Sequence, residues 1–368
     1  MSQRLRIAQL APPYEAVPPA RYGGTERVVW ALTEELVRRG HEVTLFASGD
    51  SRTSAHLVPI VDRALWQEAE PQDGLAYMAV ALDDLYGRAH EFDLIHSHDQ
   101  LMVLPLARLC PGTPTVTTLH GRLDRPDYQH LFQHFREQPL VSISNSQRVP
   151  FPEANWLATV YNGVCLDAFP FQPRHEGYLA FVGRISPDKG VDSAIRVARR
   201  VGLPLKLAAR MPLRQAGNPE AQRDWEYYEQ AVKPLLAEPG IEYLGELADE
   251  DKNAVMAGAA ALLFPIDWPE PFGLVMVEAL ACGTPVLAFR RGSTPEVIEP
   301  GVNGFLAADE DELVSAVMRL PELDRARCRA GVQERFSAAV MASGYEQAYA
   351  KALGTACASP GSEGPPGR

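Results

Sequence analysis

Two glutamates, an arginine and a lysine stand where their side chains could hold one elongated, doubly charged ligand. Glu270 lies in the Pro-flanked turn of "PIDWPEPFGLVMVEALACGTPV" (265–286), and Glu278 follows inside an apolar, helix-like run. Pro269 and Pro271 have fixed φ and restrict the turn that carries Glu270. The helix expected from Phe272–Gly273 onward presents free N–H groups and a positive dipole end, which suit a diphosphate or sugar hydroxyls. A carboxylate accepting from two vicinal hydroxyls is the usual hold on a ribose. The bland alternatives are dipole compensation for Glu270 and an ion pair with an arginine for Glu278. "VGRISPDKG" (182–190) supplies the cations. Arg184 offers a planar fork for phosphate and Lys189 a point charge on a flexible stem. Lysine is scarce in this chain, so one beside an arginine at a strand end is informative. The competing reading is a helix entry capped by Asp188, with Lys189 solvated.

Other reactive types fall at comparable places. Arg21-Tyr22-Gly23-Gly24 follows the first expected strand and opens a helix, where backbone N–H groups can approach an anion. A plain tight turn is the alternative. His120-Gly121 ends "TVTTLH" and could donate a hydrogen bond to a reacting sugar or a leaving phosphate; a satisfied structural histidine is the alternative, here and for His96 and His98. His96, Ser97, His98 and Asp99 end another strand. "HSH" is a metal-ligand spacing, but no further His or acid cluster completes a site. The D-x-D pairs Asp249–Asp251 and Asp309–Asp311 precede apolar-periodic helices and read as caps and first-turn acids. There is no GxGxxG, which counts against a dinucleotide oxidoreductase.

The elements that position these residues alternate. Leu5–Leu10 reads as a strand. "GGTERVVWALTEELVRRG" reads as a helix with a Thr25 cap, apolar Val28, Val29, Leu32 and Leu36, and Gly40 as its stop. "EVTLFAS", "DLIHSHD", "TPTVTTLHG" and "LVSISNS" read as further strands. Gly, Pro and Asn cluster in 162–174, the expected linker. Then "YLAFVGR", "LPLKLAAR", "IEYLG", "AALLFP" and "TPVLAF" repeat the strand pattern, with helices at 188–200 and about 224–236 and a last helix at 337–353. Strand–helix alternation implies parallel sheets covered on both faces, an α/β chain of two similar halves. Ligands of such sheets bind beyond the carboxyl ends of the strands. Two sets of strand ends facing each other make one cleft.

Composition bounds the partners. The 368 residues suffice for two domains. Asp and Glu (47) outnumber Lys and Arg (35), and the net charge of −12 disfavours general nucleic-acid binding and strong attachment to anionic lipid. Five cysteines without a CxxC pair argue against structural zinc or a disulfide framework and fit a reducing cytoplasm. "MSQRLRIAQLAPPYEAV" reads as a first strand rather than a signal peptide, and no run reaches transmembrane length.

With these pieces assembled, the chain resembles a retaining GT-B glycosyltransferase of the GT4 class (glycosyl transferases group 1). The likeness runs from Gly23-Gly24 to "PEVIEPGVNGFL", and its most specific parts are "VGRISPDKG" and the Glu-x7-Glu of "EPFGLVMVE". The resemblance implies two Rossmann-like doubly wound domains facing across a cleft. Residues 1–168 form the acceptor side, and residues 169–336 bind the nucleotide sugar. A helix at 337–353 packs back on the first domain, and 354–368 form a disordered tail. It implies that Arg184 and Lys189 hold the donor diphosphate, that Glu270 contacts the transferred sugar and that Glu278 holds the ribose. Backbone of Phe272, Gly273 and Leu274 lines sugar and phosphates. Gly23 and Gly24 approach the phosphate, and His120 sits at the reacting centre. It further implies a hexose transferred from a nucleoside diphosphate sugar as co-substrate, UDP-glucose before GDP-mannose, to a hydroxyl acceptor. No essential metal or other cofactor is implied. Cys165, the bulky "IDWPEPFG" turn, Arg210, Arg290 and Arg291 depart from the family's commoner residues and bear on donor identity. Two rivals share the fold: a sugar-nucleotide 2-epimerase or hydrolase, and a non-catalytic sugar-nucleotide sensor.

Overall fold

The computed structural model describes residues 4–20, 23–67, 73–99, 101–214 and 217–358. Arg21 and Tyr22 of the glycine loop lie outside them, as does the chain beyond Ala358. The first sheet contains β1 (Arg6–Leu10), β2 (Glu42–Ser48), β3 (His56–Val61), β4 (Leu94–Ser97), β5 (Thr115–Leu119), β6 (Leu140–Ser142) and β7 (Trp156–Thr159). Their order is β3-β2-β1-β4-β5-β6-β7. The second contains β8 (Leu179–Arg184), β9 (Leu205–Arg210), β10 (Ile241–Tyr243), β11 (Ala261–Phe264), β12 (Val286–Phe289) and β13 (Gly304–Ala307), ordered β10-β9-β8-β11-β12-β13. Every strand pair is parallel. Helices cover both faces, so central strands such as Ala261–Phe264 are buried throughout and read as unbroken apolar runs.

The strand order reverses between β1 and β4 in one sheet and between β8 and β11 in the other. Connections leaving adjacent strands in opposite directions open a crevice at that point. Arg184 is the last residue of β8, the loops after β8 and β11 carry Lys189 and Glu270, and Gly23-Gly24 stand where the loop after β1 enters the first helix. Topology therefore selects these loops as walls of a cleft.

Several local expectations change. Helix Gly24–Arg38 is capped by Gly23 without a side-chain bond, so Thr25 lies in the first turn and is not the cap. Val28, Val29, Leu32 and Leu36 are buried as their spacing predicts, and Gly40 donates to the Val37 carbonyl at the helix end. The helix expected over 188–200 runs Val191–Val201, because Pro187–Lys189 form a separate 3₁₀ turn closed by a left-handed Gly190. The next helix starts earlier than expected, at Pro219, where Asn218 accepts from the Glu220 and Ala221 N–H groups and Pro occupies the first position. It continues as a π turn over Tyr228–Val232. Strands β3, β7 and β13 lie outside the expected set. Edge strand β3 carries Pro59, which masks a strand in sequence. The last helix is Ala338–Ala358, so residues 354–358, expected in the tail, continue the helix, and the rest of the expected tail lies outside the described residues. Its Tyr345 and Tyr349 are fully buried among Leu5, Val28, Leu32 and Val116 of the first half.

Candidate functional site

A cavity of about 410 Å³ separates the two sheets. Gly23, Gly24 and His120 line it from the first half, and Arg184, Lys189, Glu270, Phe272, Gly273, Leu274 and Glu278 from the second. Every site residue expected from sequence thus reaches one cleft.

Close packing sets the geometry on the second wall. The loops after β8 and β11 are tied by the Asp267 N–H donating to the Asp188 carbonyl at 2.9 Å. A Cβ on Gly190 would lie 2.1 Å from the Pro265 carbonyl oxygen, so only glycine allows this approach. The result places Lys189 Nζ 2.5 Å from Glu270 Oε2. Trp268 Nε1 donates to the same oxygen at 3.0 Å, and its ring lies 4.8 Å from the ammonium. A third loop, after β12, fixes the Glu270 turn from behind. A Cβ on Gly292 (φ 53°) would lie 2.3 Å from Glu270 N, and Ser293 binds the Glu270 and Phe272 carbonyls. Gly273 (φ 74°) then opens helix Leu274–Ala281 toward the cavity. The Phe272 side chain is core, stacked on Tyr161.

Glu278 is buried in that helix, and its partner is Lys252 at 2.9 Å rather than an arginine. Lys252 also lies 3.3 Å from Asp249, which pairs with Arg27 from the opposite half. Asp249 is a first-turn acid as expected, and it also spans the cleft. Asp309 caps its helix by accepting from Glu312 N–H. Glu296 makes a second bridge, accepting from Asn145 N–H at 2.8 Å, Ser146 N–H at 2.7 Å and Tyr161 Oη at 2.9 Å. Arg184 Nη2 lies 3.7 Å from Asp188. Arg290 and Arg291 are not among the cavity residues; Arg291 faces Asp267 at 3.7 Å.

On the first wall, Gln147 Nε2 donates to the Leu119 and Gly121 carbonyls and so frames His120. His120 Nε2 lies 2.9 Å from His98 Nδ1. Burial lowers the His120 imidazole to about 4 and that of His96 to about 3, and drives His98 well below the ordinary range. All three are neutral near pH 7. Glu26, buried in the cleft wall, is pushed up to about 7 by desolvation. Among the described residues no group of three or more His, Cys, Asp or Glu side chains is placed to hold a metal ion. Sequence reasoning missed Lys252, Gly292, Glu296, Glu26 and the His98–His120 contact. Only the scarcity of lysine offered a signal, for Lys252.

Two doubly wound sheets facing across a single cleft are the architecture of GT-B glycosyltransferases. Sucrose-phosphate synthase from Thermosynechococcus elongatus superposes with a TM-score of 0.74 at 20% identity, over 96% of this chain and all (100%) of that one. Anabaena Alr3699/HepE in complex with UDP-glucose gives 0.68 at 20%, over 96% and 100%. Residues 22–151 match Glycosyltransferase Family 4 and residues 168–335 match Glycosyl transferases group 1. D-inositol 3-phosphate glycosyltransferase of Frankia alni is 30% identical over 91% of this chain and 96% of that protein. The chain belongs to the GT4 glycosyltransferases. No helix among the described residues is long and apolar enough to cross a membrane.

Proposed function

We propose that this glycosyltransferase moves a hexose, with retention and without an essential metal, from a nucleoside diphosphate sugar to a hydroxyl acceptor. The supporting observation is the convergence of Arg184, Lys189, Glu270 and Glu278 on one cavity with the amino end of helix Leu274–Ala281. In this reading residues 1–168 serve the acceptor and residues 169–336 the donor, in a cytoplasmic protein. Arg184, Lys189 and the helix end stabilise charge developing on the departing diphosphate. Glu270 accepts from the sugar hydroxyls and Glu278 from the ribose. His120 donates a hydrogen bond at the reacting centre. UDP-glucose is the favoured donor and GDP-mannose the next. The complex of Alr3699/HepE with UDP-glucose supports that order by analogy of fold alone.

The test is a thermal-shift panel of UDP, GDP, ADP and their common sugar conjugates without added metal. A ligand that binds only the folded state raises the midpoint. A shift with one nucleotide family, larger with one sugar, names the donor. No shift with any sugar nucleotide refutes the donor-site reading. Transfer of labelled sugar to a second molecule, against an altered free sugar nucleotide, separates the transferase from an epimerase.

A further inference from the structure

We propose that His98 is a positioning residue that fixes which nitrogen of His120 carries its proton. The inference rests on the reading of the cleft as the transfer site. His98 and His120 directly follow neighbouring strands β4 and β5, and their facing nitrogens, Nδ1 and Nε2, lie 2.9 Å apart. A hydrogen bond between two neutral imidazoles needs a proton on one facing nitrogen and a lone pair on the other. Each ring owns one proton, so two arrangements exist. In one, His98 donates from Nδ1, and the His120 proton sits on Nδ1. In the other, His120 donates from Nε2, and the His98 proton sits on its own Nε2.

The far nitrogen of His98 decides between them. His98 Nε2 is buried and has no hydrogen-bond partner. The second arrangement strands an N–H there; the first leaves only a lone pair. Orphaned buried N–H groups are the rarer of the two, and an unpaired buried donor costs its full desolvation. His98 therefore donates, and His120 presents Nδ1–H. Among the described residues no protein group accepts from His120 Nδ1, and His120 lines the cavity.

The His98 ring is held in place for this task. Its backbone N–H donates to the Leu10 carbonyl at 2.9 Å. Its ring lies 4.2 Å from that of His96. His96 is clamped between Tyr349 Oη at 2.7 Å and Thr118 Oγ1 at 2.8 Å, and Thr118 in turn donates to Tyr345. The last helix, which supplies both tyrosines, thus reaches the reacting centre through a stack of side chains. With its proton on Nδ1, His120 acts as a hydrogen-bond donor to a substrate oxygen and not as a base. Depression of all three imidazoles by burial keeps that state through the neutral range.

The test reads the tautomer directly. The full chain, labelled with ¹⁵N-histidine, is examined at pH 7 by long-range ¹H–¹⁵N correlation, with His120 assigned from His120→Asn. The expected spectrum shows His120 as the neutral Nδ1–H form. His98→Leu, which removes the donor, shifts His120 toward Nε2–H. With the donor found by thermal shift, that variant lowers kcat by about ten-fold or more while KM for the donor changes little. His98→Asn, whose amide can donate from near the same place, keeps the Nδ1–H form and most of kcat. An Nε2–H signal in the unaltered protein overturns the proposal without reference to any substrate. So does full kcat in His98→Leu, or an equal loss in the Asn and Leu variants with an unchanged His120 spectrum. Failure of every sugar nucleotide to bind would refute the donor-site reading and leave the tautomer result to be judged by the spectrum.

Discussion

Glu270→Gln removes one charge at the centre of the cleft and keeps the side chain's shape. The carboxylate holds Lys189 at 2.5 Å, with both side chains nearly buried (10% and 13% exposed). A diphosphate reaching Lys189 competes with this carboxylate, and the two anions repel each other. Placed ~8 Å apart across the ammonium, they interact by about 2 kcal/mol at an effective dielectric of ~20, and Lys189 itself screens part of that. The variant therefore binds the nucleoside diphosphate unchanged or tighter, by up to about 30-fold. Turnover moves the other way. On the proposed role of Glu270, losing a charge-assisted hydrogen bond to the sugar costs about 1.5–3 kcal/mol, roughly 10- to 150-fold. Lys189→Ala has the opposite sign for binding, weakening the diphosphate by the same ~1.5–3 kcal/mol. The assays are calorimetric titration with the nucleoside diphosphate and initial rates at saturating donor, on variants whose melting shows them folded. If Glu270→Gln lost nucleotide affinity as Lys189→Ala does, the pair would be a structural brace and the assignment of Glu270 to the sugar would be wrong.

The remaining predictions concern the supports of the site. Lys252→Met strands the buried Glu278 carboxylate and destabilises by about 3–5 kcal/mol; adding Glu278→Gln restores most of the melting temperature, and an undisturbed single variant would refute the pairing. Gly292→Ala drives a Cβ into the Glu270 backbone at a left-handed position and costs on the order of 2–4 kcal/mol. Gly24→Ala, whose Cβ meets nothing within 4 Å, leaves the melt unchanged and lowers donor affinity by crowding the ligand; equal melts for both alanine variants would contradict the packing. Stability falls on acidification from pH 7 to 5. His96 and His120 have folded values of about 3 and about 4, below 6.5, so their contribution is full above pH 6.5 and is lost as the unfolded chain takes up protons first. Each loses roughly 2 kcal/mol over that interval. Glu26, raised to about 7 from 4.5, works oppositely and returns about 2 kcal/mol. His98, driven well below the same range by burial, adds to the loss. The net loss, at least about 2 kcal/mol, appears as a lower urea midpoint at pH 5, and a higher one there would refute the burial argument.

The alternation of short apolar runs with helical periodicity determined the α/β class by itself, because side-chain direction repeats with a fixed local period. Local chemistry likewise marked Arg184, Lys189, Glu270 and Glu278: a Pro-bounded turn, a helix amino end and a scarce lysine are properties of adjacent residues. Thr25 failed as a cap and Asp188 as a helix entry because glycines at 23 and 190 set the backbone there. Strand β3 stayed hidden because an edge strand tolerates the proline that argues against it. What only the tertiary structure decided is which distant residues meet. Lys252 and Glu278, Gly292 and Glu270, His98 and His120, and Glu296 with Asn145 are paired by strand order and by the facing of two sheets. No periodicity carries that information. Each contact depends on where a parallel sheet reverses its order and on how closely two loops then pack.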